Sequence, residues 1–171
     1  MQQCYFCNNN YGVFEAVETK SIKHFTESVF YLIEQIARYV ELNGKDFFDK
    51  LSIEISPEEF RTIDVIICNP GICQRDLAKL ILRDRVRTGR ILDSLEEKGL
   101  IKRYSDLKNK RPVKKMELSK KGIKYYEEIT SIIHPYLEKF YEKFTAKQLE
   151  ELKNMLKLLE SAVSLVADLQ I

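Results

Sequence analysis

Apolar residues recur every three or four positions between residues 22 and 40. Ile22, Phe25, Val29, Leu32, Ile33, Ile36 and Val40 trace one face of a helix. Phe30, Tyr31 and Tyr39 broaden that face beyond what a single core would cover, so a helix buried on two sides is expected, one of them against a second subunit. Asn43-Gly44 is a C-terminal stop signal and is expected to end it. After a weakly alternating stretch (51–55), Ser56-Pro57-Glu58-Glu59 predicts a helix start. Ser56 is the N-cap, Pro57 the first helical residue, and Glu59 reaches back as a capping box. This helix turns Phe60, Ile63, Ile66 and Ile67 inward and stops before Asn69-Pro70-Gly71.

The pattern then tightens. A short helix (74–80) and a second one (85–98) follow in quick succession, the second closed by Gly99. Leu77, Ala78 and Leu80 should pack the first onto the second, whose inner face is Ile91, Leu92 and Leu95. A basic hairpin is expected over residues 100–118. Ser119 opens another helix carrying Ile123, Tyr126, Ile129, Ile133, Leu137 and Phe140, with Pro135 expected to kink it. Thr145 and Gln148 form a second capping box, and Leu149, Leu152, Leu156, Leu159, Val163 and Val166 then repeat at coiled-coil spacing.

Two helices in tight succession followed by a β-ribbon define a winged helix-turn-helix. The expected fold is mainly α with a small β-wing, the winged domain being joined to an all-helical dimerisation layer. Its divisions are an N-terminal arm (1–20), a dimerisation helix and linker (21–55), the winged domain (56–118) and C-terminal dimerisation helices (119–171). Charge sharpens this reading. The 171-residue chain has a formal net charge of only +2. Residues 83–121, however, hold 14 Lys/Arg against 6 Asp/Glu, a local +8, which leaves −6 for the remainder. Positive charge confined to one motif prepares a single face for phosphate.

On the second helix of the motif, Arg85, Arg87, Thr88 and Arg90 are the expected outer residues. An Arg can bond a guanine edge in two places, and a Thr can touch a thymine methyl or a phosphate. Gly89 either lets the backbone approach a groove closely or is the small residue that packing requires. The hairpin adds Lys102 and Arg103, then Lys108, Lys110 and Arg111 at its tip, then Lys114 and Lys115. A basic tip suits phosphates or a narrow minor groove, with Arg111 the candidate for insertion.

Residues 22–163 resemble the MarR family of dimeric winged-helix transcription regulators. The resemblance is carried by Gln74-Arg75-Asp76-Leu77-Ala78, by residues 84–90, and by Leu95-Glu96-Glu97-Lys98-Gly99-Leu100-Ile101. Asn109-Lys110-Arg111 and Leu118-Ser119-Lys120-Lys121-Gly122 complete it. The family's wing signature is D-x-R, whose acid helps brace the wing; here Asn109 stands in the Asp position, while Arg111 matches. The resemblance implies a two-fold dimer on a pseudo-palindromic operator. It also implies an effector site, often for small aromatic acids, between the dimer layer and the winged domain; Tyr31, Tyr39 and Phe25 are the candidate lining.

Residues 1–18 lack a helical period and hold Cys4-Tyr5-Phe6-Cys7. Three readings stay open for that pair: a redox-sensing site, half of a metal-sensing site, or an inert arm. Cys68 and Cys73 read as small buried residues at a helix junction, and His24 and His134 as satisfied helix residues. No phosphate loop, HExxH or G-x-S-x-G is present, and no motif calls for a cofactor or a resident metal, so an enzyme is not expected. Without a signal peptide or an apolar span, the expected compartment is the cytoplasm. The expected function is a transcriptional regulator, acting as a repressor, that binds double-stranded DNA as a homodimer and responds to a small aromatic or oxidant effector. The alternative is a winged-helix protein-interaction module whose basic face only maintains solubility.

Overall fold

The computed structural model describes residues 23–108 and 111–167, with side chains described except at 107–112 and 165–167. Cys4, Cys7, Ile22 and Lys110 lie outside the described residues, as do the side chains of Lys108, Arg111 and Val166. The chain divides into two compact units, one ending at Asn43 and one beginning at Gly44.

In the first unit, a 3-10 turn (Phe25–Glu27) leads into helix α1 (Val29–Lys50). Ser28 joins the two: its hydroxyl donates to the Phe25 carbonyl at 2.6 Å and accepts from the Tyr31 amide at 3.2 Å. Phe25, Val29, Phe30, Leu32, Ile36, Tyr39 and Val40 are all exposed in the single chain.

The expected stop at Asn43-Gly44 does not occur, and α1 runs on to Lys50. Gly44 costs a helix about 1 kcal/mol relative to Ala. Beyond it, however, Phe48 is buried and Phe47 packs against the core, and burying one such ring stabilises by about 1.5–3 kcal/mol. Tertiary packing therefore outweighs the local signal.

In the second unit, helix α2 (Pro57–Cys68) starts with both halves of the predicted capping box. The Glu59 amide donates to Ser56 Oγ at 3.1 Å, and the Ser56 amide donates to the Glu59 carboxylate at 2.7 Å. Strand β1 (Ile72–Cys73), helix α3 (Gln74–Leu80) and helix α4 (Arg85–Glu97) follow. Gly99, at φ +69°, ends α4 in the left-handed region. Strands β2 (Ile101–Lys108) and β3 (Arg111–Leu118) form the hairpin, Ile101 opposite Leu118 and Lys108 opposite Arg111. The two-residue β1 adds to β3, Ile72 opposite Met116, giving a sheet of order β1-β3-β2. Helix α5 (Lys120–Tyr141) runs through Pro135, and α6 (Ala146–Ala167) starts from the Thr145/Gln148 box.

The core gathers Ile63 and Ile66 of α2, Leu77 of α3, Leu92 and Leu95 of α4, Met116 of β3 and Ile129 of α5. Phe60 stacks on Tyr126, whose hydroxyl donates to Asp64 at 2.6 Å and ties α5 to α2. That bond to Asp64, helped by burial, raises the Tyr126 pKa. Leu80, expected inside, is exposed. So are Leu152, Met155, Leu156 and Val163 of α6 in the single chain. No described helix is long and apolar enough to cross a membrane.

Glu59 does more than cap α2. Its carboxylate also accepts from Ser94 Oγ at 2.7 Å and from Lys98 Nζ at 2.6 Å, which fastens α4 to the α2 N-terminus. Burial opposes the charge, but these donors and the Ser56 amide outweigh it and hold the carboxyl below its ordinary range. A group more acidic folded than unfolded stabilises fully above its unfolded value of about 4.3, and that contribution is lost as pH falls through the folded value. Glu59→Gln should therefore cost about 2 kcal/mol at pH 7. Thermal unfolding should show its gap to the parent narrowing as the pH is lowered to about 3. A gap independent of pH would contradict this role.

Candidate nucleic-acid interface

Asp84 fixes the start of α4 by accepting the Arg87 amide at 2.8 Å as N-cap. Turning by about 100° per residue, α4 places Ile91, Leu92 and Leu95 on the core, as expected. Thr88 joins them. It is 0% exposed, and its hydroxyl donates back to the Asp84 carbonyl at 2.8 Å. The expectation that Thr88 is an outer, base-touching residue is therefore corrected: its methyl is packed and its hydroxyl is satisfied. The spacing held the signal, because Thr88 precedes Ile91, Leu92 and Leu95 by three, four and seven residues.

In the first turns of α4 the face opposite that core stripe carries Val86 and Arg90, both exposed and one turn apart, and Asp93 and Glu97 continue it toward the C-terminus. Arg85 and Arg87 flank it. Among the described residues Arg85 and Arg90 have no ion-pair partner, but Arg87 does. Its guanidinium donates to Glu58 of α2 at 2.9 Å, and Arg83 donates to the other oxygen of the same carboxylate at 2.5 Å. Partial burial of Glu58 opposes its ionisation, yet the two arginines prevail and keep its pKa below the usual range. Arg87 is thus held by a carboxylate, where the sequence pattern offered it as a free cation.

Gly89 lies against α3. A Cβ there would come within 3.3 Å of the Gln74 amide nitrogen, which itself donates to the Arg85 carbonyl at 3.1 Å. The space is already occupied, in keeping with the packing reading of this glycine.

The wing is braced by a residue that the sequence had offered as a free cation. Arg103 of β2 donates to Asp93 at 2.7 Å and also to Glu96, both on α4. Those bonds, Glu96 first, raise the Arg103 pKa, and Arg103 in turn holds Glu96 below the normal carboxylate range. This pair of carboxylates anchors β2 of the hairpin to α4. Lys115 is likewise engaged, donating to Asp106 across the hairpin at 2.6 Å, which raises its pKa. Lys114 is exposed without an ion pair among the described residues. Lys108 and Arg111 are the last paired residues before the tip. Among the described residues no group of His, Cys, Asp and Glu is arranged to hold a metal.

A core-anchored helix-turn-helix carrying a strand-paired hairpin is the winged-helix class of fold. Residues 55–113 match the model of the MarR family. The HTH-type transcriptional regulator YybA of Bacillus subtilis (strain 168) is 37% identical over 42% of this chain; the match spans 54% of that protein's length. Among solved structures, the transcriptional regulator SlyA superposes with a TM-score of 0.67 at 26% identity, covering 80% of this chain and 94% of that one. The MepR–DNA complex of Staphylococcus aureus gives 0.65 at 26% identity, covering 81% and 99%. Over residues 55–113 the chain is thus similar to the MarR family, and its fold is similar to that of the winged-helix regulators it superposes on.

Proposed function

We propose that this protein is a transcriptional regulator, not an enzyme, which binds double-stranded DNA with sequence preference as a homodimer and acts as a repressor. The observation that carries the reading is the outer face of α4. Among the described residues Arg85 and Arg90 stand unpaired in solvent there, within the segment 83–121 that carries a net +8 against −6 for the rest of the chain. Support comes also from the MepR structure, a DNA complex on a similar fold. In this reading Arg90 bonds a base edge, Arg85 and Lys114 meet phosphates, and Lys108, Lys110 and Arg111 extend the contact from the wing tip.

The dimer is supported by two sets of exposed apolar residues, on α1 before Asn43 and on α5 and α6. Large apolar residues exposed in number on one helix mark an interface, and a 22-residue helix with an exposed seam gains its stability from a partner. Two recognition helices about 34–36 Å apart would then enter successive major grooves of a pseudo-palindromic site. An effector, small aromatic or oxidant, acts by changing that separation. An assignment of oxidant sensing to Cys4 and Cys7 rests on the sequence alone.

Salt dependence tests the duplex reading. Binding to a duplex of genomic origin, followed by fluorescence anisotropy, should weaken steeply as salt rises. Lys114→Ala should shallow the slope of log K against log salt by about 0.9, the loss of one phosphate contact. Arg90→Ala should cost about 1–3 kcal/mol on the preferred sequence and much less on others. Affinity indifferent to salt, with both variants behaving as the parent, would favour a protein-interaction module.

A further inference from the structure

We propose that Val86 is a specificity-determining residue that reads the 5-methyl group of a thymine in the major groove. The inference rests on the duplex-binding reading above and deepens it. Three observations converge on this residue. Val86 is 66% exposed, an unusual placement for a β-branched apolar side chain on a helix whose other apolar residues, Ile91, Leu92 and Leu95, are all buried. It stands diametrically opposite those buried residues, at the centre of the solvent face, where a helix lying in a groove comes nearest to the base edges. Thr88, the other side chain near this end that carries a methyl, is buried and hydrogen-bonded to its own helix.

The chemistry fits one target. The 5-methyl of thymine is the apolar feature that base pairs present on the major-groove floor, and a small apolar side chain is its natural contact. Val86 has no hydrogen-bonding group, so a phosphate or a polar base edge would gain nothing from it. Arg90 follows four residues later on the same face, about 6 Å along the axis, or nearly two base-pair steps. Its fork suits the O6 and N7 of guanine. Val86 and Arg90 thus form a two-letter reader, a methyl contact and a guanine contact set close together. Arg85 and Arg87 sit to either side, nearer the backbone.

The test removes one methyl group at a time. Affinities are measured for the protein's best-bound duplex and for copies in which single thymidines are replaced by deoxyuridine, which differs only in lacking that methyl. One position in each half-site should weaken the parent about fourfold, equivalent to about 0.8 kcal/mol for one buried methyl-sized group. Val86→Ser, which carries no methyl, should bind the thymidine and deoxyuridine duplexes equally. Val86→Thr, which keeps a γ-methyl, should still tell them apart. Because residue 86 is exposed, neither variant threatens the fold, and circular dichroism checks this directly. A parent indifferent to every deoxyuridine substitution, or a Val86→Ser variant that still discriminates, would overturn the assignment and leave duplex binding intact. Failure to bind any duplex would overturn the duplex reading itself, and this assignment with it.

Discussion

Gly122→Ala should destabilise the protein by about 3 kcal/mol or more, at the upper end of what overpacking costs. A Cβ built at Gly122 would lie 1.9 Å from the Leu100 carbonyl oxygen and 2.9 Å from its carbon. Both are backbone atoms, and that oxygen is in use: it accepts the Ser119 amide at 2.9 Å. Ser119 in turn caps α5, its hydroxyl accepting the Gly122 amide at 2.9 Å while donating to the Gly99 carbonyl at 2.6 Å. The first turn of α5 is therefore seated directly on the junction between α4 and β2, with no room for a side chain. Relief of the clash requires either lifting α5 or displacing the start of the wing. Gly44→Ala, the same substitution in another helix, should have the opposite sign. Its Cβ would meet only the Pro57 ring at 3.6 Å, and Ala is the better helix former by about 1 kcal/mol. In thermal unfolding, Gly122→Ala should lower Tm by roughly 6–12 °C and Gly44→Ala should raise it by a few degrees. An unchanged Tm for Gly122→Ala would contradict the packing described.

Glu58→Gln should strengthen binding to every duplex and reduce discrimination among them. One carboxylate occupies the guanidinium groups of both Arg83 and Arg87 at the mouth of the recognition helix. Removing its charge frees two cations for phosphate. The slope of log K against log salt should steepen by up to about 1.8, which at moderate salt is roughly a tenfold or larger gain on non-specific DNA. The preferred sequence should gain no more than the others, so the specificity ratio does not rise. Stability should fall by about 0.3–1 kcal/mol, because Glu58 also complements the α2 N-terminus. Weaker binding to random duplex, measured by anisotropy across a salt series, would show instead that Glu58 positions Arg87 for contact.

The features that the sequence made legible are those set by neighbours three or four residues apart. Ser56/Glu59 and Thr145/Gln148 announced two helix starts, Gly99 announced the end of α4, and Ile91, Leu92 and Leu95 announced its buried face. Where distant partners decide, local patterns misled. Asn43-Gly44 looked like a helix end, but the aromatic pair beyond it is held by the core. β1 is two residues long and exists only because β3 is beside it, so no periodicity could reveal it. The basic residues were legible as a cluster but not as individuals. Arg87, Arg103 and Lys115 each face a carboxylate from another turn or strand, and only the folded chain brings those together. Thr88 lies inside rather than on the expected outer face because polarity was given more weight than spacing. A hydroxyl can be satisfied by its own helix, so a threonine is free to turn inward and leave a valine outside.

Dimeric, sequence-specific duplex binding is tested most directly by selecting bound duplexes from a random pool with the intact protein at moderate salt. Enrichment is expected of a two-fold symmetric sequence with half-sites about one helical turn apart, each containing a thymine and a guanine within about two base-pair steps. A pool that stays random after repeated rounds would contradict it.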